Sequence, residues 1–363
     1  MIRGNLCAGE RRETASFSRC PNVLFIKVAV VGIFFLYLIN VSCQNTPEKL
    51  IQIKEEYALD DKEDTRYYFY FPSDIETDSN GNIYVVDTYN NRIQIFDSSA
   101  NFLRTIGKSG SGPLEFNKPE DIYIDEKNNK IYIADTRNMR IQICSLEGKF
   151  IRSIKLKVIP QRIIFKDSNL YISIFPSFVS SGGKGLIKKL DTNGKVLSEF
   201  LTPIRTKEIS LYLLYNSILM KKDKKGNLIV ARKWGLNQVM IFDIHDKFRR
   251  EFKVIYKGSK WIKAGIADFP INTDEDIEKI PFIIADLSFD SENNYYFLSG
   301  NIEKKQNGTF ERRGEIYKYN SEGNYLGTII LPTPAKLIHI DKRNNLLIID
   351  DNFILRKYRI LNQ

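Results

Sequence analysis

The sequence predicts an all-β protein: a six-bladed β-propeller of four-stranded antiparallel blades, closed by an N-terminal strand that completes the last blade. Three observations predict it. Residues 72–107 hold four short apolar-alternating runs, at 74–77, 82–87, 92–96 and 102–106, separated by Asp-Ser-Asn-Gly, Thr-Tyr-Asn-Asn and Asp-Ser-Ser-Ala-Asn. Period-two alternation with such punctuation reads as an antiparallel meander. The unit recurs from Pro119, where PEDIYIDEKNNKIYIADTRNMRIQICSLEGKFIRSIKL matches it almost position for position. A four-strand repeat of about 40–50 residues is the signature of a propeller blade. Finally, the chain opens with an unpaired strand and closes with three strands, two defects that cancel if they join.

Taken in order, the chain begins with a targeting segment. Basic residues precede an apolar run at 28–39, which is of signal-peptide length, and the run ends in Asn40-Val41-Ser42-Cys43 before a polar stretch. A small residue followed by Cys after an apolar run resembles a bacterial lipobox. Residues 1–42 are read as a lipoprotein-type signal peptide, Cys43 as the lipid attachment site, and 43–48 as a tether. The competing reading is an uncleaved membrane anchor with its Arg-rich end in the cytoplasm. Either places the propeller, residues 49–363, outside the cytoplasm, on the periplasmic side or the outer cell surface.

Residues 49–58 form a strand with no meander of its own. Blade one spans about 67–107 and blade two 119–156. Blade three holds runs at 162–165, 170–175, 186–190 and 196–200. Blade four holds 218–222, 227–231, 238–243 and 248–254, and blade five 284–290, 295–299, 315–319 and 325–331. Blade six supplies 336–341, 345–350 and 354–361, so the N-terminal strand is expected to be its fourth. Closure of this kind hides two open sheet edges at once. Turns between first and second strands, and between third and fourth, are short in every blade. The long connections (108–118, 176–184, 202–216, 256–281 and 300–314) all fall on the other face of the disc. Insertions confined to one face mark a binding face.

The motif residues carry a family resemblance. The pattern P-x-D-I-x-x-D followed by N-x-I-Y-V/I-V/A-D-T-x-N-x-R-I-Q-I resembles the NHL repeat. It stands as Pro72, Asp87, Thr88, Asn91 and Arg92, and again as Pro119, Asp135, Thr136 and Arg140. The resemblance implies a six-bladed propeller. It implies no single activity, since NHL propellers serve as binding and sensor modules and also as enzymes.

The net charge is +10, of which the leader contributes +3; in the remainder Lys alternates with Asp and Glu. That pattern, together with export, disfavours nucleic acid. Of the cysteines, Cys7 and Cys20 leave with the leader and Cys43 takes lipid. Cys144, at the position of Phe96 in blade one, is expected to be a buried core thiol. No disulfide framework remains for the mature chain.

First strands line a propeller's channel. Two places before each turn's Asp stand Glu76, Tyr123, Lys221, Ser288 and His339, while Ile75, Ile122, Met220, Leu287 and Ile338 face neighbouring blades. Blade three aligns less clearly. Nearer the long-loop face the same side shows Asp74, Asp121 and Asp286. Three carboxylates at a channel mouth could hold a divalent cation or a cationic ligand; short acidic side chains also bond to backbone N–H groups where strands begin. Asp87 with Arg92 and Asp135 with Arg140 recur at one position, which argues for turn-bracing ion pairs rather than catalysis. His245 belongs to a solvated turn, so no cluster of histidine ligands is available. Trp261, among lysines in the 256–281 loop, could stack on a sugar or pin the loop. Residues 300–314 are read as a solvated loop.

The expectation is a lipid-anchored, monomeric binding scaffold that engages a protein, peptide or glycan through its long-loop face, with no cofactor. The alternative is an enzyme: lactonases and lyases on six-bladed propellers hold a metal in the channel. Asp121, Asp286, Glu76 and His339 would be its ligands.

Overall fold

The computed structural model describes residues 49–60, 64–178, 184–254, 283–304 and 310–361. Residues from Pro47 onward form one compact unit. It is a propeller of six four-stranded antiparallel sheets. Blade one consists of Asp74–Thr77, Ile83–Asp87, Arg92–Phe96 and Phe102–Ile106 in spatial order. Blades two to five begin with Pro119–Asp125, Pro160–Lys166, Ile218–Lys222 and Ile284–Phe289. Blade six is Ala335–Ile340, Asn345–Asp350, Leu355–Ile360 and the N-terminal strand Ile53–Leu59. That last strand pairs antiparallel with Leu355–Ile360, Ile53 opposite Ile360 and Leu59 opposite Leu355. The chain therefore joins the propeller at the short-turn side.

The alternation seen in sequence sorts the core. Ile75 packs with Leu337, Leu347 and Ile349 of blade six, and Ile122 with Tyr84, Val86 and Ile93 of blade one. Met220 joins the blade-three cluster, Leu287 packs with blade four, and Ile338 with blade five. Each of these side chains wedges its blade against the one before it, so the core is a ring of inter-blade layers. Cys144 is buried among them and its thiol is pushed up to about 12 by burial, a state unsuited to nucleophilic chemistry.

The short turns are built by one device. Asp78 Oδ1 accepts the backbone N–H groups of Asn80 (3.0 Å) and Asn82 (2.9 Å), and its other oxygen accepts the Asn82 amide. Asp97, Asp290 and Asp341 repeat the arrangement with Asn101, Asn294 and Asn345. In these four turns a carboxylate replaces the ladder where the hairpin reverses.

The long-loop face is more structured than its sequence suggests. Residues 108–118 include a two-residue parallel pairing of Lys108–Ser109 with Glu115–Phe116. Residues 202–216 contain a short helix, Ile209–Tyr215, because Leu211, Tyr212 and Tyr215 lie on one face and bury it. The 300–314 insert, expected to be a solvated loop, is corrected: Ile302–Lys304 and Phe310–Arg312 pair as an antiparallel hairpin. The 256–281 loop lies outside the described residues.

Candidate functional site

The six first strands stand side by side around the channel, each touching the next. In blades two, three, five and six the register shifts by one residue just before Asp121, Arg162, Asp286 and Leu337. Such bulges turn a side chain out of the regular pleat. Asp121 and Asp286 use that freedom to reach the neighbouring blade, and Asp74 reaches it from a regular strand. Asp74 accepts the N–H of Ile122 (3.3 Å), Asp121 that of Ile163 (2.6 Å) and Asp286 that of Ile338 (2.9 Å). Ser288 accepts the N–H of Ile340 at 2.8 Å, one step further in. All four side chains are buried. Blades one, two and five thereby each satisfy a backbone donor on the inner strand of the blade that follows.

Cations cross this ring. Lys221 Nζ lies 2.9 Å from Asp74 and 2.5 Å from Glu76, joining blade four to blade one on the opposite side of the disc. Arg162, from the blade whose alignment was unclear, places Nη1 3.0 Å from Asp121 and donates to the carbonyls of Ser73 and Glu120. His339 Nε2 is 2.9 Å from Thr77 Oγ1. Burial would raise Asp74, but Lys221 and Arg162 hold it below the usual carboxylate range. Burial, with the Asp74 charge, pushes Asp121 well up, and burial likewise raises Glu76 and Asp286. His339 is lowered to about 4 by burial and by the Lys221 charge, so it is neutral near pH 7. Tyr123 is occupied differently: Lys222 donates to its hydroxyl and lies over its ring.

The predicted channel set is therefore brought together, but as an interlocked network. Among the described residues no group of three His, Cys, Asp and Glu side chains could hold a metal ion. Asp121 and Asp286 spend an oxygen on backbone N–H groups, and Glu76 faces an ammonium. Sequence reasoning missed Arg162, because Pro160–Lys166 has no turn Asp at the usual spacing. Cys43 and Trp261 lie outside the described residues.

The paired Asp and Arg of the motif do more than brace a turn. Asp87 and Asp135 are fully buried, with Arg92 Nε at 2.8 Å and Arg140 Nε at 2.6 Å. The remaining guanidinium nitrogens fasten the long-loop face: Arg92 donates to the carbonyls of Thr65 and Tyr68 (both 2.8 Å), and Arg140 to those of Ser111, Gly112 and Glu115. Asp350 with Arg356 repeats the pair at 2.9 Å in blade six.

On that face, held by these contacts, sits a patch of exposed aromatics. Tyr68, Tyr70, Phe71 and Tyr89 are each 41–48% exposed. Phe71 centres the patch, 5.1 Å from Tyr70, 5.0 Å from Tyr89 and 4.9 Å from Phe353. Lys118 Nζ lies 3.9 Å from the Tyr89 ring centre and Lys336 Nζ 4.9 Å from that of Phe353. Tyr70 N–H donates to Asp87 and Tyr89 N–H to the Tyr70 carbonyl, so the backbone under the rings is fixed. A separate cavity of about 130 Å³ opens at the channel mouth, among blades two, three and four.

Residues 73–312 match the family described as "Domain of unknown function (DUF4934)". No curated protein matches the chain in sequence. Solved structures similar in fold include a Bacteroides fragilis protein described as exported. It is 12% identical, with a TM-score of 0.58, over 86% of this chain and 95% of that one. A DUF4221-family member from Bacteroides vulgatus is 14% identical, with a TM-score of 0.55, over 87% of this chain and 100% of that one. The virginiamycin B lyase of Staphylococcus aureus is 10% identical, with a TM-score of 0.51, over 86% and 100%. At such identities the likeness concerns the fold.

Proposed function

The chain belongs to the DUF4934 family, and on that premise we propose that it is an extracytoplasmic binding scaffold whose long-loop face engages a protein, peptide or glycan. The observation that carries this reading is the rigid patch of Tyr68, Tyr70, Phe71 and Tyr89. Exposed aromatics held on a fixed backbone give large contact area at low entropic cost, whether the partner is a peptide side chain or the face of a sugar ring. Contiguous apolar surface of this kind marks an interaction site. The channel carboxylates, by contrast, are spent on backbone N–H groups and on Lys221 and Arg162.

The two best-formed blades are read as NHL-like. Export is supported by the leader pattern and by the fold likeness to a protein described as exported. Lipid at Cys43 is the anchor we propose. The described chain joins the propeller from the short-turn side, so an anchor upstream leaves the long-loop face free to bind.

The test uses photo-cross-linking residues in the full chain, in intact cells, with a glycan array run in parallel. A cross-linker at Tyr89 should capture a partner, or the array should show glycan binding that the four-fold alanine variant at Tyr68, Tyr70, Phe71 and Tyr89 loses. A cross-linker at Ser99, on the short-turn face, should capture nothing. Capture from Ser99 alone, or binding indifferent to the four aromatics, removes the reading.

A further inference from the structure

The cavity at the channel mouth is lined by Glu120, Gln161, Arg162, Ser217, Ile218, Lys233 and Trp234. Its wall carries one acid and two bases. Glu120 and Lys233 face the same space yet form no ion pair with each other, and Lys233 has no ion-pair or hydrogen-bond partner for its ammonium among the described residues. The contacts of Arg162 all run through Nη1, to Asp121 and to the carbonyls of Ser73 and Glu120. Among the described residues the rest of its fork makes no hydrogen bond, and Arg162 lines the cavity. Glu120 is hydrogen-bonded by Gln161 and both charges are half-buried. Two opposite charges held apart in one cavity favour a guest that pairs with both.

We infer that this cavity binds a small α-amino acid zwitterion, its carboxylate between Lys233 and Arg162 and its ammonium on Glu120. Size agrees: a cavity of about 150 Å³ accommodates benzene, so this one has room for about six heavy atoms. Trp234 supplies a flat wall for a small side chain. The electrostatics favour such a guest. Burial, aided by the Arg162 charge, lowers Lys233 to about 8, and burial raises Glu120. Each group gains from an opposite charge placed against it, and an arginine fork recognises a carboxylate specifically. This inference does not rest on the aromatic patch, which shares none of these residues.

The experiment is calorimetric titration of the purified full chain with glycine and L-alanine, beside N-acetylglycine and glycine methyl ester. The first analogue lacks the ammonium and the second lacks the carboxylate, so wild-type protein suffices to test both contacts. Glycine or alanine should bind, and each analogue should bind at least about tenfold more weakly, as the loss of one charge-assisted contact requires. Lys233→Met should abolish binding, and Lys233→Arg should restore part of it. No heat from either amino acid up to about 50 mM overturns the proposal, and so does equal binding of the analogues. Neither result bears on partner capture by the aromatic face.

Discussion

Lys221 spans the channel to Asp74, its Nζ 2.9 Å from the carboxylate of a residue on the opposite blade. The same ammonium is 2.5 Å from Glu76. One ammonium thus faces two acids that repel each other, and it ties blade four to blade one without any covalent link.

Removing it should be costly. Lys221→Met leaves Asp74 buried and without its closest cation, a loss of about 3–5 kcal/mol for a broken buried pair. Glu76→Gln should cost less, because Glu76 is 24% exposed and Lys221 keeps Asp74. Urea denaturation of the two variants should show that order; equal midpoints would refute it.

Stability should fall in mild acid through His339. The unfolded chain takes up this proton near pH 6.5, whereas the folded chain holds the ring neutral down to about 4. The contribution is therefore complete above pH 6.5 and is lost as the pH falls toward 4, by about 3 kcal/mol. Asp74, lowered, acts in the same direction only below about pH 4, and Glu76, Asp121 and Asp286, raised, act against it. The comparison is thus between wild type and His339→Gln, whose stability difference should narrow steadily from pH 7 to pH 4.

Arg140→Lys should loosen a loop while keeping a charge beside Asp135. A lysine cannot reproduce the fork that holds the carbonyls of Ser111, Gly112 and Glu115. A loss of about 1–3 kcal/mol should accompany faster limited proteolysis within residues 108–118. Unchanged cleavage there would show that the guanidinium does not fasten the loop.

Gly107→Ala should destabilise the junction of blades one and two. Gly107 has φ +91°, and an added Cβ would lie 2.1 Å from the ring of Phe116, which is fully buried. Backbone strain and overpacking together should cost at least about 2 kcal/mol, read as a lowered melting temperature.

Deleting residues 49–59 should expose the Leu355–Ile360 edge that Ile53–Leu59 now covers. An uncovered flat edge invites pairing between chains. Light scattering should report self-association; a monodisperse, cooperatively melting product would show that closure is dispensable.

Much of this was legible in the chain. Alternation in 74–77 and 119–125 assigned Ile75 and Ile122 to the inter-blade core, since a two-residue period leaves no other face for them. The turn Asp and Asn residues announced each hairpin, and the surplus strand at one end matched the missing strand at the other. Arg162 was not legible, because its strand ends in Lys166 where the other inner strands have the turn Asp from which the channel residues were counted back. Nor was the helix at Ile209–Tyr215, too short for its period to stand out from a loop.

The sequence by itself determined the blades and their number, because local periodicity and turn chemistry act between residues close in the chain. Closure followed from a surplus strand at one end and a missing one at the other. Only the tertiary structure decided what the charged residues do. Asp74 and Lys221 are 147 positions apart, and Glu120 and Lys233 share a cavity without touching. Coulombic partnership depends on distance in space and on burial, and neither is written in the order of residues.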